Sequence, residues 1–254
     1  MKCVVANHQI AFLVEADDRL ITPRFIVSGT YETDLTNLFV EMLHQDSHCI
    51  DIGANFGYFT CLMARFSPRG KIIGVEADRH VYEIARDNTF INGFEHIAEV
   101  LHAAAVDSNA DITLHRRVTR SGNTSIARAP QEFTHALGEP PSEAFTVKGV
   151  RVDDLLAKMD GRVDFMKVDV EGAEPLVFRG ARRTIQTNPA LTIVMEWSPG
   201  QIAQAGFPAP EFLQDLQAMD LRAFAVEQQG MIPISFSELL NMPYRAGVVL
   251  KRRR

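Results

Sequence analysis

The stretch Cys49-Ile50-Asp51-Ile52-Gly53-Ala54-Asn55-Phe56-Gly57-Tyr58-Phe59-Thr60 constrains this chain more than any other. Its first residues, apolar but for Asp51, read as a short buried strand, and Tyr58 to Phe66 reads as an amphipathic helix. Between them the chain turns on Gly53 and Gly57. Glycine removes the side chain where a backbone must turn sharply and pass close to a ligand. The first N–H groups of the following helix, unpaired within it, point at the same spot. The next apolar run, Lys71 to Val75, closes on Glu76. A carboxylate at that tip, roughly 20 residues past a glycine loop, is placed to accept hydrogen bonds from ribose hydroxyls. A third run, Val163 to Val168, ends in Asp169-Val170-Glu171-Gly172-Ala173-Glu174. Strand, Gly-x-x-x-Gly and helix recur in many α/β proteins; the two acids and the third acidic strand end turn the pattern toward nucleotide binding.

Around these runs the chain alternates strands and helices. Residues 3–14 alternate loosely about Asn7-His8 and predict a hairpin. Pro23 and Gly29 break the stretch that follows. Thr33 or Asp34 caps a helix through Leu35, Leu38, Phe39, Met42 and Leu43. Its leader, Tyr31-Glu32, is placed to lie over a bound nucleotide. Strands are expected at 48–52, 71–76, 97–106, 111–116, 145–152, 163–169, 191–196, 221–226 and 247–251. Helices are expected at 58–66, at 80–92 before Asn92-Gly93, from Asp153-Asp154, at 174–180 and at 210–219. The last strands read as a hairpin, and the alternating run 111–116 reads as an antiparallel addition to a parallel core. Residues 118–143 carry no clean period. A long irregular segment inside a compact enzyme is typically functional, and this one is expected to roof an acceptor pocket. The 254 residues read as one domain, with 1–34 as its leader.

Composition narrows the classes. A net charge of −6 gives no basic field for nucleic acid. The Lys251-Arg252-Arg253-Arg254 tail reads as a solvated end. The three cysteines, Cys3, Cys49 and Cys61, have no paired spacing, which suits a reducing compartment and argues against a metal cluster. No run approaches the roughly 18 apolar residues of a membrane span, and Asn7-His8-Gln9 interrupts any signal segment. The expectation is a cytoplasmic protein; a homo-oligomer is compatible with the sequence but not specified by it.

The motifs "DIGANFGYFT", "VEAD", "NTFING" and "VDVEGAE", in this order, resemble those of the FkbM family of S-adenosylmethionine (SAM) dependent methyltransferases. The likeness runs from about Tyr31 to about Trp197. Ala77 stands where the family usually has proline, and the strand through Leu101–Val106 lacks the acid that many related enzymes use on the adenine amino group. The resemblance implies a Rossmann-like class I methyltransferase fold: α/β, a seven-stranded, mostly parallel sheet with helices on both faces and small antiparallel additions. It implies SAM as cofactor, and O-methylation of a small molecule, sugar, glycan or secondary metabolite.

Ligands of open α/β sheets sit at the carboxyl ends of the strands. Asp51, Glu76, Asp169 and Glu196 all fall at such ends. Gly53, Ala54, Asn55, Gly57 and Tyr58 are then expected along the methionine and ribose of SAM, with Glu76 on the ribose hydroxyls. Ala77, Asp78 and Ala105 are expected at the adenine, and Glu32, Asp51 and Asp169 complete the cofactor set. Asp169, Glu171 and Glu196 are the candidates for the base that takes an acceptor proton. They could instead gather magnesium, but no ligand spacing is diagnostic and no metal is expected. His135, in the irregular segment, is a weaker candidate base. Two rivals remain. An NAD oxidoreductase lacks its second loop glycine and a Tyr-x-x-x-Lys pair here, and a non-catalytic SAM-binding protein differs only in turnover. After the third acidic strand, Asp169-Val170-Glu171-Gly172 replaces the Asn/Asp-Pro-Pro-Tyr/Phe of base-modifying enzymes, so a hydroxyl acceptor is preferred to an exocyclic amine.

Overall fold

A computed structural model describes residues 1–19, 21–227 and 230–252, apart from the side chains of Ser121, Gln131 and Phe133. The end of the basic tail, Arg253 and Arg254, lies outside the described residues. Strands β1 (Lys2–Val5) and β2 (Ala11–Val14) pair antiparallel across a 3-10 turn at Asn7–Gln9, the hairpin expected from the alternation. The next stretch is not broken by Pro23: α1 runs Ile21–Ser28. Asp18 Oδ1 accepts from the N–H groups of Ile21 and Thr22 at 2.6 and 2.9 Å, and Pro23 falls in the first turn, where a missing N–H costs nothing. Helix α2 (Thr33–Met42) follows, with Glu32 left-handed before it (φ 45°).

The alternating core then runs β3 (Cys49–Ile52), α3 (Tyr58–Phe66), β4 (Ile72–Glu76), α4 (Arg79–Ile91) and β5 (Ala98–His102). Next come β6 (Ala104–Ala105), β7 (Asp111–Arg116), α5 (Gln131–Ala136) and β8 (Glu143–Val150). After α6 (Val152–Leu155) and β9 (Phe165–Val168) come α7 (Glu174–Gly180), α8 (Arg182–Thr187) and β10 (Thr192–Trp197). The chain closes with α9 (Pro199–Gln204), α10 (Ala209–Ala218), β11 (Leu221–Glu227), β12 (Gly230–Ile234), α11 (Phe236–Leu240) and β13 (Arg245–Arg252).

The main sheet has the order β12-β11-β13-β10-β9-β3-β4-β5. Strands β5, β4, β3, β9 and β10 are parallel, and β13 runs antiparallel to both β10 and β11. The expected set of seven, parallel but for β13, is therefore present, and β12 extends it at the edge. The last two of those seven are neighbours but not a direct hairpin, because β12 and α11 intervene. The run 97–106 is not one strand. The N–H of Ala103 donates to the carbonyl of Glu76 at 3.0 Å, the end of the β4 ladder, and the chain then leaves the edge to join β8. Strands β6, β8 and β7 form the small second sheet.

Period-2 alternation sends side chains to opposite faces of the sheet. Ile50, Ile52, Met166, Val168, Ile193 and Met195 pack with Val177, Ile185, Ile202 and Phe212 of the helices on one face. Cys49, Phe165, Val194 and Val249 pack with the hairpin and Phe25, Phe39, Phe59 and Ile84 on the other. Asp51 and Lys167 are the polar members of that second alternation, directly opposite each other in the β3–β9 register. Between β3 and β9 the strand order reverses, the switch point at which ligands bind in such sheets. Among the described residues no helix is long and apolar enough to cross a membrane.

The "NTFING" motif has a physical purpose in this fold. Asn88, fully buried, donates through Nδ2 to the carbonyls of Leu13 (2.9 Å) and Phe56 (2.7 Å) and accepts from the N–H of Leu13 at 2.6 Å. Asn92 makes the same two-way bond with Ala11. The asparagines give β2 a ladder partner on a helix and tie the hairpin to the glycine loop. Asn88→Ala is expected to lower the unfolding free energy by about 2–3 kcal/mol through unmet buried polar groups. Urea denaturation reads this out, and an unchanged midpoint would show the clamp to be idle.

Candidate active site

A cavity of about 850 Å³ opens at the carboxyl ends of β3, β4, β9 and β10. Its first wall is the glycine loop. Gly53 has φ 77°, and a Cβ there would stand 1.8 Å from the carbonyl oxygen of Asp169, so only glycine lets the two loops meet. The N–H groups of Gly53 and Ala54 both donate to the carbonyl of Val75 at 3.0 Å, which ties the loop to β4. Asn55 (φ 50°) turns the chain along the cavity.

Glu76 lines the cavity and is held from behind. Its Oε2 accepts from the N–H of Asn55 and its Oε1 from that of Asp78, each at 2.8 Å. Burial pushes its carboxyl up to about 7, against those backbone donors, which pull it down. Each oxygen keeps a second lone-pair direction, so the group can still accept from a ligand. Ala77, Ala103, Ala104 and Ala105 make a small-residue wall beside it, facing Leu114 and Ile126.

The opposite end is acidic. Asp169, Glu171 and Glu196 each place a carboxylate oxygen within 4.8 Å of the others, and Glu32 joins them in the lining. Lys167 Nζ donates to Asp169 Oδ2 at 2.9 Å and lies 5.1 Å from the centre of the Phe59 ring. Glu171, left-handed at φ 53°, accepts through Oε2 from Asn123 Nδ2 at 3.2 Å and from Gln201 Nε2, while its carbonyl accepts from Ser125 Oγ at 2.8 Å. Burial, then the charge of Asp169, pushes Glu171 up to about 8 and Glu196 up to about 10; the same two causes take Glu32 up to about 7. Glu196 Oε2, Glu32 Oε2 and Gln201 Oε1 are buried oxygens without a hydrogen-bond partner. The three acids have the spacing of a cation site, yet Asp169 already has an ammonium and Glu171 two amide donors.

Of the residues expected at the cofactor or the chemistry, Glu32, Gly53, Ala54, Asn55, Tyr58 and Glu76 line the cavity, as do Ala77, Ala105, Asp169, Glu171 and Glu196. Three do not. Asp51 is fully buried beneath the loop, where its Oδ2 accepts from Thr60 Oγ1 at 2.6 Å. Gly57 (φ 85°) faces α4, where a Cβ would stand 3.1 Å from Ala85 Cα. Asp78 caps α4, its Oδ1 accepting from the N–H of His80 at 2.9 Å. His135 is exposed on α5 and outside the lining. The residues not foreseen are Lys167, Asn123, Gln201 and Tyr244, all in the lining. Lys167 had a legible signal, one charge inside an apolar strand; the other three sit far apart in irregular or terminal segments.

Glycine loop, cavity-lining carboxylate and acidic loop at the switch point of a β5-β4-β3-β9-β10-β13-β11 sheet define a class I methyltransferase fold. The Methyltransferase FkbM domain model matches residues 51–225, and the chain belongs to that family, whose cofactor is SAM. A curated relative, Methyltransferase sdnD of Sordaria araneosa, is 25% identical over 174 residues, 60% of this chain and 67% of its own length. Among solved structures, the methyltransferase FkbM of Methylobacillus flagellatus gives a TM-score of 0.47 at 14% identity, covering 82% of this chain. This chain spans only 44% of that protein's length. The O-methyltransferase of Bacillus cereus in complex with SAH gives 0.46 at 15% identity, covering 87% of this chain and 80% of that one.

The buried acids set a pH dependence of stability. Glu76 and Glu174 are raised from 4.5 to about 7 and Glu171 to about 8, chiefly by burial. An acid that holds its proton more tightly when folded favours the fold at low pH, and that advantage is lost as pH rises through the folded value. The unfolding free energy of the ligand-free protein is therefore expected to fall as pH climbs from 4.5 toward about 8. Glu171→Gln should make the fall shallower above neutrality. Denaturation curves across the interval decide; stability rising with pH there would contradict the assignment.

Proposed function

We propose that this chain transfers the methyl group of SAM to a hydroxyl of a small molecule, sugar or glycan. The observation that carries the reading is that the glycine loop, Glu76 and the acidic trio, spread along the chain from Gly53 to Glu196, all face one cavity. The cavity fits the cofactor in chemistry as well as in size. Gly53 leaves the loop backbone open, Glu76 keeps acceptor capacity for two hydroxyls, and the alanine wall offers a flat apolar surface for a base. Glu32 and Asp169 supply negative charge for the cationic methionine end. A cavity of this volume lies within the usual range of roughly 300–1,000 Å³ for such ligands.

When bound, SAM supplies an electrophilic methyl already activated by its sulfonium charge. The chain's own task is then alignment and deprotonation. Holding the reacting atoms at about 3–3.5 Å in line can supply roughly 7–11 kcal/mol of the barrier. A base placed on the acceptor hydroxyl adds about 10²–10⁴-fold. Asp169, Glu171 and Glu196 are the groups within reach of that position. The segment 118–143 would roof the acceptor end, since Gly122, Asn123 and Thr124 line the cavity and Asn123 and Ser125 bond Glu171. A hydroxyl acceptor is supported by the Asp169-Val170-Glu171-Gly172 sequence, which stands in place of the Asn/Asp-Pro-Pro-Tyr/Phe of base-modifying enzymes.

Calorimetric titration with SAM, S-adenosylhomocysteine and NAD should show binding of the first two and none of the third; the reverse would replace the reading with an oxidoreductase. Glu76→Ala should weaken SAM binding about 10–100-fold, the loss of one or two strong hydrogen bonds. Affinity unchanged in that variant would remove Glu76 from the ribose. Asp169→Asn and Glu171→Gln, assayed for turnover with SAM affinity measured alongside, identify the base; full activity in both would leave Glu196.

A further inference from the structure

Two amide side chains converge on Glu171, and neither the motifs nor the family match assigns either of them a task. Asn123 Nδ2 donates to Glu171 Oε2 at 3.2 Å, and Gln201 Nε2 donates to the same oxygen. An ionised carboxylate only accepts, so each amide presents its nitrogen and not its oxygen. Among the described residues no hydrogen bond engages Oε1. The two donors come from distant parts of the chain. Asn123 ends the 3-10 turn Ser121–Asn123, and its N–H donates to the carbonyl of Arg120 at 3.0 Å. Arg120 is in turn paired with Glu139. Gln201 lies in the first turn of α9.

The backbone under Glu171 is fixed by the same two segments. Ser125 Oγ donates to the carbonyl of Glu171 at 2.8 Å. The carbonyl of Gln201 lies against Gly172, where a Cβ would stand 2.5 Å from its oxygen. Glu171 itself is left-handed at φ 53°. That conformation costs about 1–2 kcal/mol for a residue with a Cβ. It persists where the surroundings over-determine it, and such positions cluster at functional sites. The other two acids of the trio are held differently. Asp169 Oδ2 takes the ammonium of Lys167 at 2.9 Å, and a full positive charge beside a carboxylate makes it a weaker proton acceptor. Glu196 meets the phenol of Tyr244, an exposed side chain, and its Oε2 has no partner. Neutral amides orient a carboxylate and favour its charged form without cancelling the charge.

We infer that Asn123 and Gln201 are positioning residues for Glu171: they hold its carboxylate by one oxygen and leave the other to take the acceptor's proton. The inference rests on the methyltransferase reading and goes beyond it in choosing one acid of the three. It also ties that acid to the segment 118–143. Gly122, Asn123 and Thr124 line the cavity, so the stretch that meets an acceptor is the stretch that orients its base. Displacing the segment releases Glu171 from one of its two amides.

The test starts with the full chain crystallised with S-adenosylhomocysteine. Both amides are expected on one oxygen of Glu171, with the other open to the space beside the homocysteine sulfur; a second oxygen turned away from that space overturns the proposal. In Asn123→Ala and in the near-isosteric Gln201→Met, the carboxyl-carbon NMR signal of Glu171, assigned with Glu171→Gln, is expected to move while that of Glu76 stays. A Glu171 signal unmoved in both variants contradicts the inference. Methyl transfer from radiolabelled SAM to glycerol, a probe alcohol, should slow about tenfold or more in each variant, since a misplacement of about 1 Å can cost about 10²-fold. S-adenosylhomocysteine affinity, read by calorimetry, should stay within about threefold; a loss of about tenfold or more would make the amides part of the donor site and overturn their assignment. Asn123→Ala added to Glu171→Gln should slow transfer no further than Glu171→Gln alone, because residues that act as a unit are not additive. A further loss marks a purely structural contact and counts against the proposal. If glycerol is not methylated, or one variant does not fold, the wild-type orientation and the remaining signal decide. A wild-type chain that does not bind S-adenosylhomocysteine loses the methyltransferase reading; one that binds it with Glu171 turned away loses this inference alone.

Discussion

The site depends on one close approach: the backbone of Gly53 lies against the carbonyl of Asp169, where no Cβ would fit. That contact joins the end of β3 to the end of β9 at the point where the strand order reverses. On one side of it the chain runs into the glycine loop and, through Val75 and Glu76, to β4. On the other it runs into the loop carrying Asp169 and Glu171, which Glu174 closes by accepting from the N–H groups of Val170 and Gly172 at 3.2 and 3.3 Å. Were the two strand ends held apart by even a methyl group, the acidic trio and the loop that faces it would no longer share a wall.

Once the loops meet, electrostatics govern the rest. The sheet face that packs against α3 carries Asp51 and Lys167 at matched positions, Asp51 buried beneath the cavity and Lys167 in its lining. Asp51 is bonded to Thr60, and Gly74 next to it is without a side chain because a Cβ would stand 2.8 Å from Thr60 Oγ1. Thus the polar floor is tied into the packing of β4 and α3. A buried polar network of this kind is costly when partly satisfied and rigid when satisfied. Its open valences, Glu32 Oε2 and Glu196 Oε2, lie on groups that line the cavity. Asp51 Oδ1, beneath the loop, is a further buried oxygen without a hydrogen-bond partner, so the network is open under the cavity as well as at it.

Much of this was legible in the sequence, for physical reasons. The β3 loop, the β4 tip and the β9 loop are short apolar runs with punctuation, and such runs can form little but buried parallel strands. What strand ends do not tell is the side of the sheet. Asp51 has the parity of Cys49, which sends it under the loop to Thr60 and out of the cavity lining. Asp78 sits at a strand tip but is followed at once by a helix, and an aspartate there is better spent on the free N–H groups of the first turn. The sequence Asp78-Arg79-His80-Val81 carries that cap signal, and the capping residue lies outside the cavity lining. Pro23 by itself signals a break; its place in the first turn of α1, behind the Asp18 cap, is what makes it compatible with a helix. Glu139, Asn123, Gln201 and Tyr244 have no periodic signal at all, because their partners lie in distant segments.

Asn123 belongs to a segment whose course is set by ion pairs and not by any period. Between Arg116 and Glu143 the chain makes a long excursion whose ends are clamped by an ion cluster. Glu139, 3% exposed, receives both Arg117 and Arg120, with Arg117 Nε at 2.9 Å. A buried carboxylate between two guanidiniums is specific in geometry even where its net stabilisation is small. The clamp therefore fixes the course of the segment and not the stability of the fold. It leaves Gly122 in front of Ile21 and Asn55, and Asn123 and Ser125 on Glu171. Asn123 and Ser125 lie inside the clamped stretch, so its course and the place of Glu171 are linked. The site's surroundings are thus of two kinds: a floor encoded in strands, and a segment attached to that floor at few points.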